Sequence, residues 1–214
     1  MTPRVTLIDY GLGNLLSVAR AFEHCGAKVE VAEAPQDILN AQRLVLPGVG
    51  AFADGMSNLR QLHLVDAIRQ FSASGRPMLG ICLGMQLIFD TSQEFGLHQG
   101  LEIVPGNVIP LPSLGLDGRL HKVPHVGWAE LKPFNREVNW RGTILGDLPS
   151  GVAAYFVHSF QVHPQVPTHL IATVDFGGHD VPAVVRVGNV YGCQFHPEKS
   201  GPVGLQIIQN FIHL

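Results

Sequence analysis

Cysteine is scarce in this chain: Cys25, Cys82 and Cys193 are the only three among 214 residues, and they lie far apart. An odd, dispersed set offers neither a disulfide framework nor the paired spacing of a zinc ribbon. It fits a reducing compartment, with at least one thiol outside any intramolecular pair. Positive charge is not in excess either. The 14 Lys and Arg stand against 17 Asp and Glu, a formal charge of −3 with a pI near 6.4, and leave no basic footprint for nucleic acid. No apolar run approaches a membrane span, and no N-terminal stretch joins a basic head to a long apolar core, so a soluble, cytoplasmic protein is expected. Repeats, low-complexity segments and linker-like stretches are missing too. Residues 1–214 are therefore expected to form a single domain, and 46% apolar content is enough for one large core.

What is present alternates. Arg4 to Asp9 is a short β-rich run, Asn14 to Cys25 has helical apolar spacing ended by Gly26, and Val29 to Ala32 and Arg43 to Leu46 are further short strands. Asp54 to Ser74 is helical with a break near Gln61, and Pro77 to Ile81 is a fully apolar strand. This order predicts an α/β fold with a central, mostly parallel sheet flanked by helices. After about residue 105 the texture changes. Ala153 to Val157, Leu170 to Val174, Ala183 to Val187 and Val190 to Phe195 are β-rich runs separated by Pro, Gly and His, which predicts an additional antiparallel or mixed β portion before a closing helix over Gly201 to Leu214.

Parallel sheets present functional groups at the carboxyl ends of their strands. The first such end carries Asp9-Tyr10-Gly11-Leu12-Gly13-Asn14, only superficially a dinucleotide fingerprint because the position three beyond Gly13 is Leu16. The next carries Pro47-Gly48-Val49-Gly50, which can turn backbone N–H groups toward a ligand. No Gly-Lys-Ser/Thr follows it, so an oxyanion hole and a plain tight turn both remain open. Gly80-Ile81-Cys82-Leu83-Gly84 follows an apolar strand and leads into the helix-like Met85 to Phe89. It reads as a cysteine nucleophile on a tight turn, with flanking glycines permitting a strained backbone and the helix N-terminus favouring the thiolate. A cysteine between glycines is also a common small core residue.

The last strand end carries Phe195-His196-Pro197-Glu198. A cysteine hydrolase needs a nucleophile, a base within reach of it and a group that orients the base. Cys82, His196 and Glu198 supply one candidate for each, and Pro197 stiffens the turn so that both side chains can project to one side. Alone, His-Pro-Glu is an ordinary surface turn; its pairing with Cys82 gives it weight. His121 and His125 stand four apart, but Pro124 between them argues against a helix that would align them on a metal, and His163, His169 and His179 form no coherent site. No metal or cofactor is expected.

Gly80 to Gln86 together with Phe195 to Glu198 resembles the class I (triad) glutamine amidotransferases. Within that superfamily Ile8 to Asn14, Leu46 to Phe52, Pro124-His125-Val126-Gly127-Trp128, Tyr155 to Phe160 and Glu198-Lys199-Ser200 resemble the glutaminase subunits of imidazole glycerol phosphate synthases. The resemblance implies a flavodoxin-like amidotransferase fold and hydrolysis of L-glutamine by a Cys82-His196-Glu198 triad. It implies oxyanion donors from the Gly48, Val49, Gly50 loop and Leu83, and a grip on the amino-acid end of glutamine by Gln86, Glu94, Ser159 and Phe160. It further implies a separate (β/α)8-barrel cyclase subunit that receives the ammonia, docked around Asn14, Trp128, Tyr155 and Lys199. Val126 and Ala129 depart from the pattern, where methionine and asparagine are usual, and leave the triad intact. Two other readings are weighed: a glutaminase serving pyridoxal phosphate, anthranilate or aminodeoxychorismate synthesis, and a non-enzymatic amidotransferase-like binding module. The opening after the first strand speaks against the former and the complete Cys-His-Glu set against the latter.

Overall fold

The computed structural model describes residues 2–214. Its first half runs β1 (Arg4–Ile8), α1 (Leu15–His24), β2 (Lys28–Ala32), α2 (Pro35–Asn40), β3 (Leu44–Gly48), α3 (Phe52–Gln61), α4 (Val65–Ala73), β4 (Met78–Cys82) and α5 (Leu83–Leu87). The second half comprises β5 (Phe89–Ser92), β6 (His98–Gln99), β7 (Val104–Pro110), β8 (His125–Glu130), β9 (Lys132–Pro133), β10 (Ala153–His158), β11 (Phe160–Pro164), β12 (Leu170–Phe176), β13 (His179–Val187), β14 (Val190–Cys193) and α6 (Gly201–Ile212).

The main sheet has the order β2-β1-β3-β4-β14-β13-β12-β9. Its first five strands pair in parallel, and from β14 onward the pairing is antiparallel. Alternation along the strands sends side chains to two covering layers. Val5, Leu7, Val45, Leu79 and Ile81 join Val18 and Phe22 of α1 and Phe211 of α6, whose two rings meet edge to face at 6.1 Å. Ile8, Leu44, Leu46 and Met78 face the other way, onto Ile38, Phe52, Ile68 and Phe71 of α2 to α4. Burial on both faces is why these strands read as unbroken apolar runs.

Helix α1 starts where the Asn14 side chain accepts a hydrogen bond from the Ser17 N–H at 3.2 Å, and Gly26 follows its end at φ +88°. The helical stretch after β3 breaks at 62–64, with His63 in the left-handed region, close to the expected break at Gln61. Its beginning lies two residues earlier than expected, because a carboxylate distant in sequence, Glu94, accepts the Phe52 N–H at 2.6 Å.

Other expectations need correction. Helix α2 is absent from the sequence reading: it is a short helix of 6 residues opened by Pro35. The helix after Cys82 ends at Leu87 and Phe89 begins a strand, because the carbonyls of Leu87 and Ile88 accept N–H groups from Leu101, Ile103 and Val104. The last strand ends at Cys193 and does not extend to Phe195. Two small sheets, β10-β8 and β11-β7-β5-β6, supply most of the additional β portion. Among the described residues no helix is long and apolar enough to cross a membrane.

Candidate active site

Cys82 closes β4 with φ 53° and ψ −107°, a conformation that costs a non-glycine residue about 1–3 kcal/mol. The flanking glycines do not carry this strain, contrary to expectation, since neither Gly80 nor Gly84 has a positive φ. They permit close approach instead. A Cβ on Gly84 would overlap the Leu46 carbonyl of β3, and one on Gly80 would lie 2.6 Å from the Gly84 oxygen. The turn thus folds flat against its neighbouring strand, and the strain falls on the cysteine.

The chain leaving β14 runs beside the start of β10. The His196 N–H donates to the Tyr155 carbonyl at 3.0 Å, and the Ser200 hydroxyl donates to the His196 carbonyl at 2.7 Å while accepting the Tyr155 N–H at 3.0 Å. His196 Nδ1 lies 2.8 Å from Glu198 Oε1, with both side chains almost wholly buried. The carboxylate fixes the tautomer, and Nε2, buried and without a hydrogen-bond partner, is left for the Cys82 sulfur, which lines the same pocket. Burial opposes a charge on His196, yet the facing Cys82 and Glu198 outweigh it and raise its pKa to about 9. The imidazole is poised as an acid.

Cys82 and His196 share a pocket of about 340 Å³ with Val49, Gly50, Leu83, Gln86, Glu94, Ser159 and Phe160. Gly48 is buried at the end of β3, whereas Val49 and Gly50 stand exposed, Gly50 at φ +111°. Gln86 is buried, its side-chain nitrogen donating to the Phe160 carbonyl at 3.2 Å and to Gln194 Oε1 at 3.1 Å. Glu94 accepts the Phe52 N–H at the start of α3 while lining the pocket.

Two side chains at the site escaped the sequence reading. Gln194, fully buried, donates toward Cys82 Sγ at 3.8 Å, and His158 lines the pocket. The first stands two residues before His196 and the second inside the quoted Tyr155 to Phe160 segment, so position relative to those motifs was the available signal. Burial, then the nearby charges of His125 and His196, outweigh a bond to the Phe160 carbonyl and lower the pKa of His158 to about 4. His125 is a structural histidine: it is buried and stacks on Phe156 at 5.1 Å, with ring planes 8° apart.

Beside the pocket, Trp128 is 59% exposed and meets Tyr155, its cross-strand neighbour, edge to face at 6.0 Å. Lys199 is exposed on the turn after Glu198, against which α1 packs with Asn14 at its cap. The four residues expected at a docking face therefore lie on adjoining segments. Among the described residues no group of three or more His, Cys, Asp or Glu side chains could hold a metal ion.

A strained cysteine, an acid-oriented histidine and a parallel sheet ending in an open pocket define a nucleophilic hydrolase on a doubly wound α/β scaffold. The family model of class-I glutamine amidotransferases matches residues 6–214, and the chain belongs to that family. It is 51% identical over 210 residues to imidazole glycerol phosphate synthase subunit HisH 1 of Legionella pneumophila (strain Paris), covering 98% of this chain and 99% of that protein. It is 45% identical over 207 residues to the HisH subunit of Moorella thermoacetica, covering 97% and 93%. A structure of PurLQS from Thermotoga maritima superposes with a TM-score of 0.72 at 18% identity, covering 100% of this chain and 99% of that one, a likeness of fold.

Proposed function

We propose that the chain is the glutaminase subunit of an imidazole glycerol phosphate synthase, working in the cytoplasm as a heterodimer with a (β/α)8-barrel cyclase in histidine biosynthesis. The observation that carries the chemistry is the buried His196–Glu198 pair at 2.8 Å set against the strained Cys82. The pathway rests on near-full-length similarity to HisH subunits at 45–51% identity.

In this reading the Cys82 thiolate attacks the γ-carboxamide carbon of L-glutamine. Backbone N–H groups of the Gly48, Val49, Gly50 loop and of Leu83 hold the developing oxyanion, an interaction whose loss typically costs about 10²–10³ in rate. His196, charged and oriented by Glu198, protonates the leaving nitrogen, then activates the water that releases glutamate. Gln86, Glu94, Ser159 and Phe160 surround the amino-acid end of the substrate. Ammonia passes to the cyclase, which docks around Asn14, Trp128, Tyr155 and Lys199 and forms imidazole glycerol phosphate and an aminoimidazole carboxamide ribonucleotide. A different partner would change the pathway and leave this chemistry in place.

The test mixes the chain with its cyclase subunit and follows glutamate release and cyclase product. Glutaminase activity is expected to be weak in the isolated chain and to rise with the partner and its ligand. Cys82→Ala is expected to abolish glutamine-dependent synthesis while synthesis from added ammonia persists. Full glutaminase activity in Cys82→Ala overturns the mechanism, and stimulation only by the subunit of another synthase overturns the pathway.

A further inference from the structure

Two histidines, His158 and His196, line the pocket at Cys82, and the mechanism above uses one. His158 ends β10, directly across the ladder from His125. Its Nδ1 lies 2.8 Å from the Phe160 carbonyl oxygen, which can only accept, so Nδ1 carries the hydrogen and Nε2 keeps a bare lone pair. That Nε2 is buried without a hydrogen-bond partner. An unmatched buried acceptor is costly to fold unless something else fills it.

Its surroundings are defined. The His125 ring of β8 is centred 5.4 Å away, the Phe156 ring of its own strand 5.8 Å away, and His196 approaches from the turn after β14. The carbonyl of the preceding residue, Val157, is 4.0 Å from Cys82 Sγ. The two pocket imidazoles have opposite leanings: His196 holds a proton up to about pH 9, while His158 stays neutral down to about pH 4. Groups pushed apart in this way are suited to different tasks in one reaction.

We propose that His158 Nε2 is the acceptor for the leaving nitrogen, taking a hydrogen bond from an N–H of the bound carboxamide and then of the departing ammonia. The inference rests on the glutaminase reading. As the tetrahedral adduct collapses, the C–N bond breaks and its electron pair takes the proton released by His196 Nε2, while an oxyanion lone pair re-forms the C=O of the thioester. His158 gains only an N–H···N bond. Ammonia is thereby held without being protonated by the residue that holds it, and departs neutral.

Two substitutions separate this role from a structural one. His158→Asn can keep the donor to the Phe160 carbonyl and lacks an acceptor at Nε2; His158→Gln places an amide oxygen near Nε2 and gives up the Phe160 bond. Each is assayed with the cyclase partner on glutamine and on glutamate γ-methyl ester, whose leaving group has no N–H. The amide-to-ester ratio of kcat is expected to fall about tenfold to a hundredfold in His158→Asn and to recover most of that loss in His158→Gln. An unchanged ratio in His158→Asn, whether both rates fall or neither does, overturns the proposal. So does the reverse order, with Asn holding the ratio and Gln losing it. A wild-type chain that releases no glutamate overturns the glutaminase reading and this inference with it; a working wild type beside an unchanged ratio overturns this inference alone.

Discussion

The hydroxyl of Tyr10 fills the space that a side chain on Gly48 would need. Tyr10 follows β1, is 1% exposed and has no hydrogen-bond partner for its oxygen, while Gly48 is the last residue of β3. A Cβ on Gly48 would also lie 3.0 Å from Leu83 Cβ and 3.3 Å from the Gly84 nitrogen. The exits of β1, β3 and β4 are thus packed at contact distance beneath Val49 and Gly50. That packing sets the height of the loop assigned here to the oxyanion.

Gly48→Ala is therefore expected to lower kcat/KM for glutamine by tenfold or more by displacing this loop. Adding Tyr10→Phe removes the overlapping oxygen and should restore part of the loss, though Leu83 remains close. Steady-state kinetics of both single variants and the double variant give the coupling, expected at about 1 kcal/mol or more. Strictly additive effects would mean that the two residues do not compete for the same space.

The strain at Cys82 has a consequence for stability. Glycine accepts φ 53° without penalty but loses about 0.5–1 kcal/mol to chain entropy, so Cys82→Gly should be about 1 kcal/mol more stable than Cys82→Ala. Urea unfolding of the two inactive variants compares them without the cysteine sulfur. Equal midpoints would place the strain elsewhere.

His196 links stability to pH. Its folded pKa, raised to about 9 by Cys82 and Glu198 against the pull of burial, exceeds the unfolded value near 6.5. Its contribution is therefore fully present below about pH 6.5 and is lost as pH rises through about 9, with an upper limit of order 3 kcal/mol. The unfolding free energy of the wild type should fall across that window relative to His196→Gln. A constant difference between the two from pH 6 to pH 10 would contradict a raised pKa.

The parallel half of the fold was legible because its strands are buried on both faces and its helices on one, and each condition leaves a period in the sequence. The stretch from Phe89 to Pro133 was not. Its strands are short or carry Pro and Gly, and they exist because distant backbone groups pair with them, as Leu101, Ile103 and Val104 do with Leu87 and Ile88. Likewise Glu94 could be singled out by resemblance, but its bond to the Phe52 N–H could not, since 42 residues separate them.

Residue type and order alone determined the chemistry on offer: a cysteine at the end of an apolar strand, a His-Pro-Glu turn and glycines where chains must touch. These are local properties, carried by spacing and steric freedom. Only the tertiary structure decided which atoms share a space. It put the strain on Cys82 and not on its glycines, set Tyr10 under Gly48, and buried His158 beside His196 with its Nε2 unpaired. Burial and the distance between charges are properties of the folded chain, and they are what make one imidazole an acid and the other a neutral acceptor.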